Sequence, residues 1–278
     1  MKIVKLAISN IAWDSRLNEE ITTLLKINNV EGLEVAPTKV ISDPEIVEKA
    51  VISKYKSFWE NEGFKLIAMQ SLLFGKPHLS IFGDRISQKH TLDYLQKIIN
   101  MASMMGTNVL VFGSPKNRYI KDISDNEAYN QALEFFHILG EMARKKSVSF
   151  CIEANPVAYG CNFLTGTLET LEFVKELNHP SIKLQIDTGT IFINNESPHD
   201  ILEKSYPYIG HFHISEPFLN LIGKENHSKV AACLREMHYD GWLSIEMKNN
   251  LLESDVVAVK QALEFVANTY FDIKRGDQ

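Results

Sequence analysis

Eight short apolar runs recur along this chain with longer amphipathic stretches between them, and that rhythm limits the fold more than any single motif. The runs are KLAISNIAW (5–13), GLEVAP (32–37), FKLIAMQ (64–70), NVLVFG (108–113), VSFCIEA (148–154), IKLQID (182–187), IGHFHIS (209–215) and GWLSIEM (241–247). Their starts lie about 30 residues apart, the length of one strand-helix unit. Near-continuous apolar character is what a parallel strand covered on both faces requires. The stretches between carry helix signals. SDPEIVEKAVISKYKSFWENEG offers Ser42 or Asp43 as a cap, with Pro near the first turn. SDNEAYNQALEFFHILGEMARKK offers Ser124 with Glu127 three residues on, and one face of Ala132, Phe135, Phe136 and Leu139. SDVVAVKQALEFVANTYF offers Ser254 or Asp255.

Eight strands alternating with helices predict an α/β fold, a (β/α)8 TIM barrel, as one domain over residues 1–278. The length agrees, since barrels of about 250 residues form single domains. The competitor is an open doubly wound sheet. It calls for a glycine-rich phosphate loop after the first strand, and ISNIAWDS contains no glycine.

Charge and cysteine content narrow the partners. The formal net charge is −6 and no long basic run occurs, so nucleic acid is not an expected partner. The three cysteines, Cys151, Cys161 and Cys233, are irregularly spaced and make no disulfide framework. No stretch approaches the roughly 18 apolar residues of a membrane span. MKIVKLAISNIAW reads as a first strand and not as a signal peptide. The expectation is a cytoplasmic protein acting on a small molecule, with homo-oligomerisation left open.

In a (β/α)8 barrel the chemistry sits at the C-terminal ends of the strands. Strand two carries Glu34 and strand three ends at Gln70; strands five to eight end with Glu153, Asp187, His213 and Glu246. The last four follow strongly apolar runs and are spaced 34, 26 and 33 residues apart, one strand-helix unit each. Four consecutive strands therefore aim Glu, Asp, His and Glu at one volume. Any one of them alone is explained as a polar strand end. Three clustered carboxylates, however, repel one another and lose hydration, and a divalent metal answers that with two positive charges. The donor set suits Mn²⁺ first, then Mg²⁺, Co²⁺ or Zn²⁺. His211 and His213 share a strand face; His213, nearer the strand end, is the expected ligand, while His211 orients a neighbour or packs in the barrel.

On the quartet CIEANP, QIDTGT, HFHISEP and LSIEMK, the chain resembles the xylose isomerase-like TIM-barrel superfamily of sugar and sugar-phosphate isomerases and epimerases. Its nearest likeness is to the branch holding ketose 3-epimerases and hydroxypyruvate isomerase. The resemblance implies one divalent ion on Glu153, Asp187, His213 and Glu246, with Glu153 and Glu246 also acting as acid and base through an enediolate. Two positions depart from that branch. Where it often carries His three residues after the metal-binding Asp, this chain has Thr190; where it carries Arg four residues after the metal-binding His, it has Pro217.

Further candidates lie in the loops. In GSPKNR, Lys116 and Arg118 are candidates to hold a phosphate or carboxylate, and Asn117 a hydroxyl; the alternative is an ordinary solvated loop. His227 is a candidate to reach the site, or a surface histidine; with Glu225 it loosely echoes an Asp-x-His pair of the apurinic endonucleases. Gln70 and Glu34 join the substrate-contact set, and Trp13 and Phe74 are candidates for an apolar wall. The leading reading is a metal-dependent sugar or sugar-phosphate isomerase/epimerase. The alternatives are an apurinic endonuclease-like metal phosphodiesterase, a dehydratase of a ketose or inosose, and a non-catalytic binder.

Overall fold

Each apolar run forms a strand where the sequence places it. The computed structural model describes residues 4–46 and 48–271. The strands are β1 (Lys5–Ser9), β2 (Gly32–Val35), β3 (Lys65–Met69), β4 (Val109–Phe112), β5 (Ser149–Glu153), β6 (Ile182–Asp187), β7 (Ile209–Ser215) and β8 (Trp242–Glu246). All pair in parallel and in sequence order, and β1 closes on β8 to make an eight-stranded barrel.

Among the described residues, nine α-helices accompany the strands. They are α1 (Asn18–Ile27), α2 (Lys49–Asn61), α3 (Arg85–Met105), α4 (Asp125–Arg144), α5 (Thr167–Leu177), α6 (Thr188–Ile193), α7 (Pro198–Ser205), α8 (Ser228–Glu236) and α9 (Asp255–Tyr270). The extra helix arises because two, α6 and α7, follow β6. Ser124 caps α4 by accepting the Glu127 amide, and Ser254 caps α9 by accepting the Val257 amide. The cap expected at Ser42 or Asp43 is not one: residues 44–46 form a turn and α2 begins later, at Lys49. Lys76 takes Asp43 instead, in an ion pair at 3.0 Å.

The core fills the space between strands and helices. Ala132, Phe135, Phe136 and Leu139 of α4 are buried, as their spacing requires, and Phe136 meets Phe112 of β4 edge to face at 5.1 Å. Trp13 is fully buried against Trp59, and its indole N–H donates to Asn18, so it belongs to the core and not to a substrate wall. All three cysteines are free and buried. Among the described residues no helix is long and apolar enough to cross a membrane.

Candidate active site

The barrel delivers four side chains to its C-terminal mouth. Glu153, Asp187 and Glu246 are the last residues of β5, β6 and β8, and His213 lies two residues before the end of β7. Parallel register sets Asp187 beside His213 and Ser215 beside Glu246. Each of the four offers a donor atom within 4.8 Å of all the others. His213 Nδ1 stands 3.1 Å from Glu246, 3.4 Å from Glu153 and 4.0 Å from Asp187.

The other face of the His213 ring is fixed from beneath. Glu34 of β2 is fully buried, and both its oxygens lie within hydrogen-bond reach of His213 Nε2. Ser244 Oγ donates to the same carboxylate at 2.8 Å, and His211 Nε2 is 3.4 Å away. Burial opposes the charge on Glu34, but the imidazoles of His213 and His211 outweigh it and hold the carboxyl well below the usual range. An ionised Glu34 only accepts, so Nε2 carries the hydrogen and Nδ1 is the atom turned to the carboxylates. Glu34, His211 and His213 also form a three-donor cluster; its oxygens, however, are already taken up by His213 and Ser244. Glu34 thus supports a site residue and does not line the cavity, as the substrate-contact expectation would have it.

Asp187 is held as tightly. Its Oδ1 caps α6 through the Thr190 amide at 2.7 Å, and Ser215 Oγ donates to Oδ2. Gly189 N–H donates to that same Ser215 Oγ at 2.9 Å. Glu153 is backed by Gly113, where an added Cβ would overlap its Oε2, and by the Arg118 guanidinium, which donates to its backbone carbonyl.

The electrostatics are those of carboxylates short of positive charge. Burial, then Glu153 and Glu246, lift the Asp187 carboxyl to about 7. Burial also raises Glu246, partly offset by His213. For His213 burial disfavours the imidazolium, but Glu34 and Glu246 prevail and its pKa rises well above the ordinary value. His213 Nδ1 is buried and makes no hydrogen bond of acceptable geometry. A buried, unpartnered imidazole nitrogen facing three carboxylates is a donor set fitted to a divalent cation.

The quartet lies in a cavity of about 470 Å³. Gln70 lines it, bonded to Ser9 at 2.6 Å. So do Asn155, Tyr159, Thr190 and Lys248. Phe218 and Leu219 close one side, both with left-handed backbones (φ 61° and 55°); the Phe218 amide donates to Tyr159 Oη at 3.0 Å. Ser71, Ser114, Tyr159 and Phe218 were not legible as cavity residues, because loop residues carry no periodicity. Gly113, by contrast, ends an apolar run that continues with a polar loop, which is a usable signal of close backbone approach.

Several expected contacts fall elsewhere. Arg118 is fully buried behind Glu153 and so cannot meet a substrate anion; among the described residues no carboxylate pairs with it. The Asn117 carboxamide donates to the carbonyls of Lys76 and Leu79 and braces a loop. His227 is buried between Glu216, at 3.1 Å, and Tyr270, at 2.6 Å, because Glu216 collects the amides of Gly223, Lys224 and Glu225 to anchor the loop after β7. Lys116 and Phe74 line a second groove beside the main cavity.

The chain is similar to several known proteins. A family model described as xylose isomerase-like TIM barrel matches residues 24–269. A D-psicose 3-epimerase of Agrobacterium fabrum is 24% identical over 130 residues, which is 46% of this chain and 45% of that protein. The match thus spans less than half the length of that relative. Among solved structures, an L-ribulose 3-epimerase superposes with a TM-score of 0.81 at 16% identity, covering 98% of this chain and 96% of the other. A D-psicose 3-epimerase crystallised in the presence of D-fructose gives 0.79 at 16% identity, covering 96% and 99%. At such identities these likenesses establish a common fold.

Proposed function

The chain belongs to the xylose isomerase-like TIM-barrel family, and on that premise we propose that it is a divalent-metal-dependent isomerase or epimerase of sugars or sugar phosphates. One observation carries the reading: Glu153, Asp187, His213 and Glu246 offer donors within 4.8 Å of one another at the mouth of the barrel. The similarity to D-psicose 3-epimerase supports the class of reaction. These four residues would hold the ion, Mn²⁺ before Mg²⁺, Co²⁺ or Zn²⁺, given three hard carboxylates and one imidazole. A bound ion would supply Lewis acidity to a carbonyl and its neighbouring hydroxyl.

The chain's own residues do the rest. Glu153 and Glu246 stand on strands separated by β6 and β7, so they reach a substrate from two sides. One removes the proton alpha to the carbonyl to give an enediolate, and the other returns a proton. Return to the same carbon on the opposite face is epimerisation; return to the neighbouring carbon is isomerisation. Glu34, through His213, and Ser215 with the α6 amide, through Asp187, keep the ligands in place. Gln70, Asn155 and Lys248 line the cavity and would bond sugar oxygens. Incubation with Mn²⁺ and a panel of ketoses and phosphoketoses in D₂O tests the proposal. Label at the alpha carbon, lost on chelation, supports it; no label with any substrate overturns it.

A further inference from the structure

A second groove of about 480 Å³ opens beside the metal cavity, and the two share Ser71, Ser114 and Pro115 as a common wall. It lies where the barrel is least tightly closed. β3 and β4 meet at a single register pair, Met69 with Leu110, whereas β4 and β5 share four. Ser71 and Ser114, just beyond those two strands, adopt left-handed backbones (φ 53° and 49°) and carry the two loops past the rim.

The groove is built, not incidental. Asn117 ties its two walls together: its side chain holds the carbonyls of Lys76 and Leu79, each at 2.8 Å, and its own carbonyl accepts the Ile81 amide at 2.9 Å. On this braced turn stands Phe74, 69% exposed, with Pro77 and Pro115 lining the same groove. A single exposed apolar side chain is ordinary. An exposed phenyl ring on a braced turn, in a groove that shares a wall with the active cavity, has the make-up of a ligand subsite.

The charge in the groove argues against a phosphate there. Lys76 is already paired with Asp43 at 3.0 Å and with Glu45 at 2.7 Å. The Asn117 amide is spent on the loop and Arg118 is buried behind Glu153. Lys116 alone remains, exposed, and it offers N–H donors to hydroxyls as readily as to an anion. An exposed aromatic face with a few polar donors matches a pyranose ring, whose C–H face is apolar and whose edge carries hydroxyls.

We propose that the substrate is a keto sugar bearing a second sugar unit, with the reacting ketose at the quartet and the second ring on Phe74. This rests on the reading of the quartet as an isomerase or epimerase site. Binding energy from such a remote ring is available to the reacting end, so it raises kcat/KM.

The test compares D-fructose with maltulose and isomaltulose, which carry glucose at O4 and O6, and with fructose 6-phosphate, all with Mn²⁺. The expected result is a kcat/KM at least tenfold higher for one of the two disaccharides than for D-fructose. Phe74→Ala should lower the disaccharide value at least fivefold more than the D-fructose value. Turnover of D-fructose as good as that of both disaccharides overturns the inference and leaves the metal-site reading standing. A preference for the phosphate, or an equal effect of Phe74→Ala on every substrate, also overturns it. No turnover of any of the four overturns the inference, while alpha-carbon label with another ketose of the D₂O panel leaves the metal-site reading standing.

Discussion

Glu34 lies beneath His213 and accepts its Nε2–H with both carboxylate oxygens, at 3.0 and 2.9 Å, so that Nδ1 is the nitrogen presented to Glu153, Asp187 and Glu246. A neutral amide in place of Glu34 could donate to Nε2 and turn the other tautomer upward. Glu34→Gln should therefore weaken Mn²⁺ binding by about 10–100-fold, the usual cost of losing such an outer partner. Calorimetry on a variant with unchanged circular dichroism measures this, and wild-type affinity would dismiss the tautomer argument.

Metal binding should tighten as pH rises through neutrality. The Asp187 carboxyl sits at about 7 and the His213 imidazolium titrates above its ordinary value, so both hold protons that a cation must displace. The sign for Asp187 is that of a raised acid. Its contribution to the stability of the metal-free protein is full below about 4, near its unfolded pKa, and is lost as pH climbs through about 7. The rise in Tm produced by Mn²⁺ should accordingly be larger at pH 8 than at pH 6. A constant rise across that range would contradict the protonation scheme.

Gly113 leaves room for Glu153, since a Cβ there would overlap Oε2. Gly113→Ala should displace the carboxylate by a fraction of an ångström to an ångström and cost about 100-fold in turnover. Steady-state kinetics reads the loss, and wild-type turnover would show that the carboxylate can give way.

Arg118 should separate activity from stability. It is a fully buried cation with no carboxylate partner among the described residues, and burial lowers its pKa. Arg118→Met removes an unpaired buried charge and its desolvation cost, and leaves the Glu153 carbonyl short of one donor, at about 1–3 kcal/mol. Stability should stay within about 2 kcal/mol of the wild type, while turnover falls about 10–100-fold as Glu153 loses its support. Denaturant melts and kinetics on the same preparation give both numbers. Unchanged turnover would take Arg118 out of the account.

The barrel and its quartet were legible because both follow from periodicity. Apolar runs fix the strands, and in a parallel barrel the last residues of β5, β6 and β8 must converge. Residues whose roles depend on loop course were not. Arg118 and His227 read as candidate substrate contacts or, alternatively, as ordinary surface groups in polar loops, yet both are buried, because GSPKNR folds back behind Glu153 and because Glu216 draws the loop after β7 around His227. Glu34 was visible as a polar residue in a strand, but its depth below the cavity depends on barrel stagger, which one strand does not encode.

The two glutamates carry the central claim. Glu153→Gln and Glu246→Gln should each abolish full turnover, and because the amide keeps a carbonyl oxygen, metal binding should fall less than catalysis. In D₂O with Mn²⁺ and a substrate ketose, one variant should lose alpha-proton exchange while the other still exchanges that proton without completing the reaction. Starting from the product should swap the two phenotypes, since the acid of one direction is the base of the other. Full turnover by either variant would contradict the account.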